Sequence, residues 1–201
     1  VFILLGLSIL FACLAILAIL FLDLVRDGAS RFGWSFFTSF PSRKAVNAGI
    51  LSAAVGTALM MFVTALVALP VGVAAAIYLE EYAPKNWFTG IIEVNVTNLA
   101  GVPSINYGLL ALGLFVYQFG FGQSILTGGL TLALLILPII IVATRESLRS
   151  VPKAIREAAY GLGATRWEVT KDHVLPYSTG GILTGLILGL SRAIGETAPI
   201  I

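Results

Sequence analysis

Cysteine and histidine are almost absent from this sequence of 201 residues, which contains one of each. Cys13 stands alone in an apolar run, so the chain by itself cannot form a disulfide framework or a thiolate metal site. His173 has no cysteine or carboxylate cluster around it, which favours an interface or helix-end position over a metal ligand or a catalytic base. We therefore expect no metal site and no cofactor bound by this chain.

Charge is scarce as well, since 11% of the residues are charged and 58% are hydrophobic. The mean hydropathy is +0.99. A chain of this length cannot bury so much apolar surface inside a water-soluble domain, so we expect an all-α, polytopic helical bundle surrounded by membrane lipid. The net charge of +2 is small and lies in the loops, which gives no reason to expect nucleic-acid binding.

Several apolar runs are long enough to cross the roughly 30 Å hydrocarbon core of a bilayer. The five predicted spans are 1–22, 48–79, 90–117, 125–143 and 177–201. The connections are an extracytoplasmic loop at 23–47, a cytoplasmic turn at 80–89, an extracytoplasmic turn at 118–124 and a cytoplasmic hairpin at 144–176. The hairpin sets the orientation, because its six Lys and Arg residues favour the cytoplasmic side.

The third predicted span is interrupted by Gly101 and Pro103. A proline near a glycine breaks the hydrogen-bond ladder, and broken backbone in a membrane is tolerated only where protein or a water-filled cavity covers it. If a half-helix begins after Pro103, the N–H groups of Ser104, Ile105 and Asn106 would point into such a cavity. A structural kink without ligand contacts is the alternative.

Arg192 and Glu196 lie four residues apart in the fifth predicted span. A charged residue inside a membrane usually faces a bundle interior or an aqueous path. The two could form an ion pair that locks helix packing, or Arg192 could meet an anion with its planar guanidinium while Glu196 holds it. Near other span ends, we expect Glu93 to pair with a basic loop residue. Arg145 should snorkel to the headgroups, with a pathway exit as the alternative.

In the hairpin, residues that begin and end helices stand in the order expected for two short helices. They are Pro152, Gly163, Thr165, Glu168 and Pro176. The first proline suits the first turn of a helix over 153–162, and the glycine can adopt the left-handed conformation that ends it. The threonine and glutamate have the spacing of a capping box. The second proline is predicted to end the second helix.

The hairpin also carries a spaced pattern: Glu157, Ala158, Ala159, Gly163, Leu175 and Pro176. This pattern resembles the EAA loop of ABC importer permeases, although His173 stands where that family usually has Ile. The resemblance implies a type I ABC importer permease (MetI-like) fold with one permease domain over 45–201. It also implies that these six residues couple to an ATP-hydrolysing subunit. The alanines would let that partner approach closely, and Glu157 would meet a basic group. An ordinary solvated hairpin is the alternative.

Four further segments resemble one subfamily, the phosphate importer permease subunits called PstA. They are 37–42, 76–83, 98–108 and 192–199. This resemblance implies phosphate as the substrate and a translocation pathway that includes Arg192, Glu196, Ser104 and Asn106. Members of the subfamily normally have six spans. With five predicted here, we expect the last helix of the fold to be missing.

The chain has no phosphate-cradling Gly-Lys loop and no catalytic carboxylate pair, so we expect a transport subunit and not an enzyme. The resemblance implies that ATP and Mg²⁺ bind to a PstB-like ATPase dimer. It also implies a homologous PstC-like permease subunit and a PstS-like extracytoplasmic phosphate-binding protein, in the cytoplasmic (inner) membrane of a bacterium or archaeon. The alternatives are an ABC importer for another oxyanion such as sulfate or molybdate, an ATP-independent channel or carrier, and a non-transporting membrane scaffold.

Overall fold

A computed structural model describes residues 2–200, and the regular elements in this range are helical. The helices are α1 Phe2–Ala29, α2 Trp34–Thr38, α3 Leu51–Ile77, α4 Trp87–Leu99, α5 Ser104–Ala111, α6 Ile125–Arg149, α7 Lys153–Gly161, α8 Arg166–Glu168 and α9 Leu175–Gly195. Wider π-helical turns continue three of them, at Tyr78–Tyr82, Leu112–Gln118 and Val169–Val174, and a 3₁₀ turn covers Ala45–Asn47. The predicted all-α fold is confirmed.

Within the described residues, four continuous helices are long and apolar enough to cross a membrane. They are Phe2–Ala29, Leu51–Tyr82, Ile125–Arg149 and Arg166–Gly195. A fifth crossing would come from Trp87–Leu99 and Ser104–Gln118, which pass the same test only as a bent pair. The helices therefore agree with a polytopic membrane protein.

Residues 2–55 belong to a separate compact unit dominated by α1. No residue of α1 is buried and the helix has no charged residue before Asp23, as expected for a helix surrounded by lipid. After α1, the rings of Phe32 and Phe36 pack with their centroids 5.9 Å apart. Arg31 donates from Nη2 to the carbonyl of Ala48 at 3.0 Å. The connection after the first predicted span is thus partly helical and held by contacts of its own.

Residues 56–200 are organised around α6, whose buried side chains pack against α3 and α9. The buried members of this core are Ala68, Leu132, Ala133, Leu135, Ile136, Ile140 and Ala193. Gly72 of α3 and Gly185 of α9 stand at the closest approaches. A Cβ built on each would lie 2.7 Å from Ile140 Cγ2 and 2.5 Å from Ala143 Cβ, respectively. Such small residues let membrane helices pack closely, which makes α6 the central helix of this unit.

A sharp bend separates α4 from α5. Pro103 precedes α5 with φ −55° and ψ 132°, and it has no N–H to continue the helical ladder. Tyr107 donates its hydroxyl to the Leu99 carbonyl at 2.8 Å, so a carbonyl released by the break is paired across it. The two helices meet at 104°, which is far more than a mild kink.

The first turn of the hairpin has the local geometry that its residues favour. Pro152 directly precedes α7, and Gly163 has φ +87°, a conformation that other residues adopt only with strain. The Glu168 N–H donates to Thr165 Oγ1, and the Thr165 N–H donates to the Glu168 carboxylate at 2.7 Å. The predicted capping box is therefore confirmed.

The prediction that Pro176 ends the second helix is wrong, because the chain stays helical from Arg166 to Gly195. The turn just before it, Val169–Val174, is a π turn. In a π turn the backbone N–H bonds to the carbonyl five residues earlier, as the Leu175 N–H does with the Thr170 carbonyl. Pro176 follows this turn as the second residue of α9 and does not end the helix. The second arm of the hairpin and the span after it therefore form one helix.

Gly185→Ala is expected to lower the free energy of unfolding by about 1–3 kcal/mol, the usual cost of overpacking. The new methyl group would meet the Ala143 Cβ, which cannot rotate away. Gly180→Ala is the matched control, because nothing lies within 4 Å of a Cβ built there and alanine favours a helix over glycine by roughly 1 kcal/mol. Thermal unfolding in detergent measures both. A midpoint for Gly185→Ala as high as that of the control would contradict the close packing of α6 on α9.

Candidate functional site

The predicted hairpin over 144–176 begins later in the structure, because α6 continues to Arg149. The hairpin proper, residues 150–176, has a small hydrophobic core shared with the end of α6. Its buried members, all 5% exposed or less, are Leu148, Val151, Ala159, Val169 and Val174. Ile77, from the end of α3, packs against the same cluster. These contacts join both arms of the hairpin to each other and to the preceding helix. The hairpin is therefore a packed unit with a defined shape.

The outer face of the hairpin exposes part of the pattern that resembles the EAA loop. Glu157 and Ala158 of α7 are exposed, as is Gly163 at the turn. Beside them, the Leu162 side chain is 91% exposed and Trp167 is also largely exposed. Exposed large apolar groups of this kind are found where a protein meets another protein or a membrane. This face combines them with a carboxylate.

Ala159 and Leu175 do not belong to that face. Ala159 is 5% exposed and lies inside the hairpin core, and Leu175 packs against the same cluster. The expectation that both alanines let a partner approach is therefore wrong for Ala159, whose small side chain lets α7 pack on the second arm. Pro176 is exposed on α9.

Arg156 of α7 connects the hairpin to the π turn Tyr78–Tyr82. Its Nη2 group donates to Glu81 Oε1 at 2.8 Å and to the Leu148 carbonyl at 2.8 Å. Its Nη1 group donates to the Val151 carbonyl at 3.2 Å. One side chain thus joins α7, the end of α6 and the end of α3.

The second arm reaches the same π turn through Arg166. Its guanidinium carbon lies 5.5 Å from the centroid of the Tyr82 ring, within the range of cation–π attraction. Sequence analysis missed these contacts between the hairpin and α3. The available signal was the adjacent pair Glu80 and Glu81, which ends one apolar span and would suit the basic hairpin.

A charged cluster formed by Arg145, Arg149, Glu80 and Glu93 joins α6 to α4 and to the π turn. Arg145 Nη2 lies 3.3 Å from Glu80 Oε2 and 2.7 Å from Glu93 Oε1, and Arg149 Nε donates to Glu80 Oε2 at 2.9 Å. Arg145 is 7% exposed, so the prediction that it snorkels to the headgroups is wrong, because two carboxylates hold it inside. The partner of Glu93 is this helical arginine and not a loop residue.

Arg192 and Glu196 form the ion pair that was one of the two predicted possibilities. Arg192 Nε lies 3.4 Å from Glu196 Oε1. Because α9 ends at Gly195 and Glu196 is extended, the pair joins the last helical turn to the segment that follows. The Nη groups, which are best placed for a bidentate contact with an anion, take no part in this pair. Contact of Arg192 with an anion stays a prediction.

Ser104 and Asn106 lie at the beginning of α5. The Asn106 N–H donates to the Pro103 carbonyl at 3.0 Å, so the prediction that it points freely into a cavity is wrong. A Cβ built on Gly108 would lie 2.8 Å from the Pro199 carbonyl oxygen, which shows that α5 approaches the segment after α9. The two parts of the predicted pathway therefore lie on neighbouring elements. Within residues 2–200, no hydrogen bond joins the side chains of the two parts.

A family model for the inner membrane component of binding-protein-dependent transport systems matches residues 48–201. The chain belongs to this family. The matched range includes α3 to α9 and therefore the hairpin, the charged cluster and the bend at Pro103. Membership confirms the predicted type of permease fold.

The chain is also similar to individual proteins that are named as transport permeases. The probable ABC transporter permease protein YqgI of Bacillus subtilis is 35% identical over 187 residues, covering 93% of this chain and 64% of the relative. The phosphate transport system permease protein PstA of Mycobacterium leprae is 40% identical over 153 residues, covering 76% and 50%. PstC of Pasteurella multocida is 34% identical over 200 residues, covering 87% and 62%. The predicted resemblance to phosphate permeases is thus confirmed, and the chain spans between half and two thirds of the length of these relatives.

Arg145→Ala is expected to lower the free energy of unfolding by about 1–3 kcal/mol, because it leaves the half-buried Glu93 carboxylate without its counter-charge and leaves Glu80 with Arg149 alone. Arg149→Ala is the control. This side chain meets the same Glu80 but is 45% exposed, and exposed pairs contribute about 1 kcal/mol or less. Unfolding in detergent measures both. Adding Glu80→Gln and Glu93→Gln to Arg145→Ala should recover part of the loss. Equal effects of the two arginine variants would contradict this account of the cluster.

Proposed function

We propose that this chain is a transmembrane permease subunit of an ATP-driven phosphate importer. Membership of the transport family and similarity to proteins named phosphate transport system permeases support the proposal. The observation that carries it is the hairpin, a packed bend whose outer face exposes Glu157, Ala158 and Leu162. A surface of this kind on a membrane protein suits a soluble partner that pushes or pulls on it.

In this proposal the outer face of the hairpin docks on a PstB-like ATPase dimer, which binds ATP and Mg²⁺ and carries out hydrolysis. The hairpin then lies on the cytoplasmic side. Its second arm is continuous with α9 in one helix of 30 residues, so a displacement of the hairpin tilts that whole helix. Closure of the ATPase dimer is thereby converted into movement of α6 and α9, the kind of rigid-body change that opens and closes a transport path.

Arg192 is the proposed contact for phosphate in the pathway. Its Nη groups offer paired donors to an oxyanion, while Glu196 holds Nε in place. Ser104, at the start of α5, and the exposed Asn106 side chain are the other polar groups of the proposed pathway. A PstC-like subunit supplies the other half of the pathway, and a PstS-like protein delivers phosphate from the extracytoplasmic side. The relatives PstA and PstC support such a pairing of two permeases in a bacterial inner membrane.

Glu157→Lys is expected to weaken binding of the ATPase dimer by about ten-fold or more, since it sets a like charge against the basic group proposed to meet Glu157, and like charges facing each other across an interface cost several kcal/mol. Co-purification and phosphate uptake into proteoliposomes measure the effect, using the full-length chain assembled with its proposed partners. Asp27→Lys makes the same charge change at an exposed residue outside the matched range. Normal ATPase binding and uptake by Glu157→Lys would overturn the docking role. Uptake without any ATPase would favour a channel or carrier.

Arg192→Ala is expected to lower phosphate uptake by about ten-fold or more with ATPase binding unchanged, because a hydrogen bond to a charged group contributes about 1.5–3 kcal/mol. Arg192→Lys should give an intermediate rate, since it keeps the charge but loses the planar donors. Arg43→Ala, at an exposed residue, is the control. Unlabelled sulfate and molybdate are added as competitors, and stronger competition than by phosphate would assign another oxyanion. Full uptake by Arg192→Ala would contradict a pathway role.

A further inference from the structure

The hairpin is covalently joined to α6 and α9, yet its side chains also attach it to a third helix. Glu81 and Arg156 are 9% and 20% exposed in their side chains and meet at 2.8 Å. Separating a largely buried pair of this kind leaves two uncompensated charges and is strongly unfavourable. The contact should therefore persist while the hairpin moves. Ile77 adds an apolar contact between α3 and the hairpin core.

The attachment involves both arms of the hairpin and not one alone. Glu81 meets α7 through Arg156, and Tyr82 meets the second arm through Arg166 at 5.5 Å. Because the two contacts lie on successive residues, they resist rotation of the π turn against the hairpin as well as separation of the two. The π turn Tyr78–Tyr82 is thus fixed to the hairpin as a whole.

Beyond the π turn, a short and well-bonded link leads into α4. The Ala83 N–H donates to the Tyr78 carbonyl at 2.7 Å, which closes the π turn. Thr89 Oγ1 donates to the Pro84 carbonyl at 2.7 Å, and the Thr89 N–H donates to Asn86 Oδ1 at 2.9 Å. These hydrogen bonds fix the start of α4 to the link. A displacement of the π turn should therefore move α4 by a similar amount.

We propose that Glu81 and Tyr82 are positioning residues through which the hairpin moves α3 and α4 as well as α6 and α9. The displacement reaches the bend at Pro103 and the beginning of α5 at Ser104. The inference rests on the proposed function, because it gives these residues a part in coupling ATP hydrolysis to transport. Without the attachment, the link from the hairpin to α3 and α4 is left to the apolar contact of Ile77 and, indirectly through α6, to the charged cluster.

The test combines Glu81→Gln with Tyr82→Leu in the full-length chain, assembled with its ATPase, second permease and binding protein in proteoliposomes. The readout is phosphate taken up per ATP hydrolysed. We expect this ratio to fall by about five-fold or more, the lower range of typical coupling energies, while ATPase binding stays normal, in contrast to Glu157→Lys. Glu146→Gln is the control, since this carboxylate pairs within α6. An unchanged ratio in the double variant would overturn the proposal.

A cross-link tests whether the contact between Glu81 and Arg156 persists during transport, even if the double variant fails to assemble. Glu81→Cys with Arg156→Cys, in a background without other cysteines, is joined by a short bismaleimide or capped with a monofunctional maleimide. The cross-linked complex should keep ATP-driven uptake, and the capped complex should show the lowered ratio. Uptake lost only on cross-linking would mean that hairpin and π turn separate during the cycle, which overturns the proposal. Absence of ATP-dependent uptake in the wild type would instead refute the proposed function itself.

Discussion

An arginine keeps its charge in any protein interior, so a buried guanidinium requires a carboxylate or carbonyl from elsewhere in the chain. Arg145 brings Glu80 and Glu93 together, and Arg156 brings Glu81 to the hairpin. The ends of α3, α6 and α7 and the first half of α4 therefore meet at fixed points. Apolar helices in lipid have little hydrophobic reason to prefer one neighbour over another. These charge pairs select one arrangement among several that packing alone would allow.

Features set by a few neighbouring residues could be predicted from the sequence. The left-handed Gly163, the capping box of Thr165 and Glu168 and the break at Pro103 each follow from the stereochemistry of one turn. The continuation of the helix through Pro176 could not be predicted in the same way. It depends on a π turn, which changes the backbone hydrogen-bond register over six residues. The amino-acid composition of these residues does not indicate such a turn.

Contacts between distant segments were beyond sequence reasoning for a different reason. Snorkelling is the expected behaviour of Arg145 if lipid headgroups are the nearest anions, but two glutamates more than fifty residues away in the sequence lie closer. Ala158 and Ala159 look equivalent in the sequence. Their different exposure depends on where the second arm packs, which is a property of the tertiary fold. The family could be recognised from motifs, whereas the partner of each charged side chain could not.

Adjacent positions in the hairpin carry two independent constraints. Ala159 and Leu175 are held by the chain's own core, while Glu157 and Ala158 face outward. Under the proposed function, the outward positions can diverge between paralogous permeases without disturbing folding. Exchanging the exposed residues alone should then transfer the preference for one ATPase from one permease to another. The buried residues of the motif would stay the same in both and keep the hairpin folded.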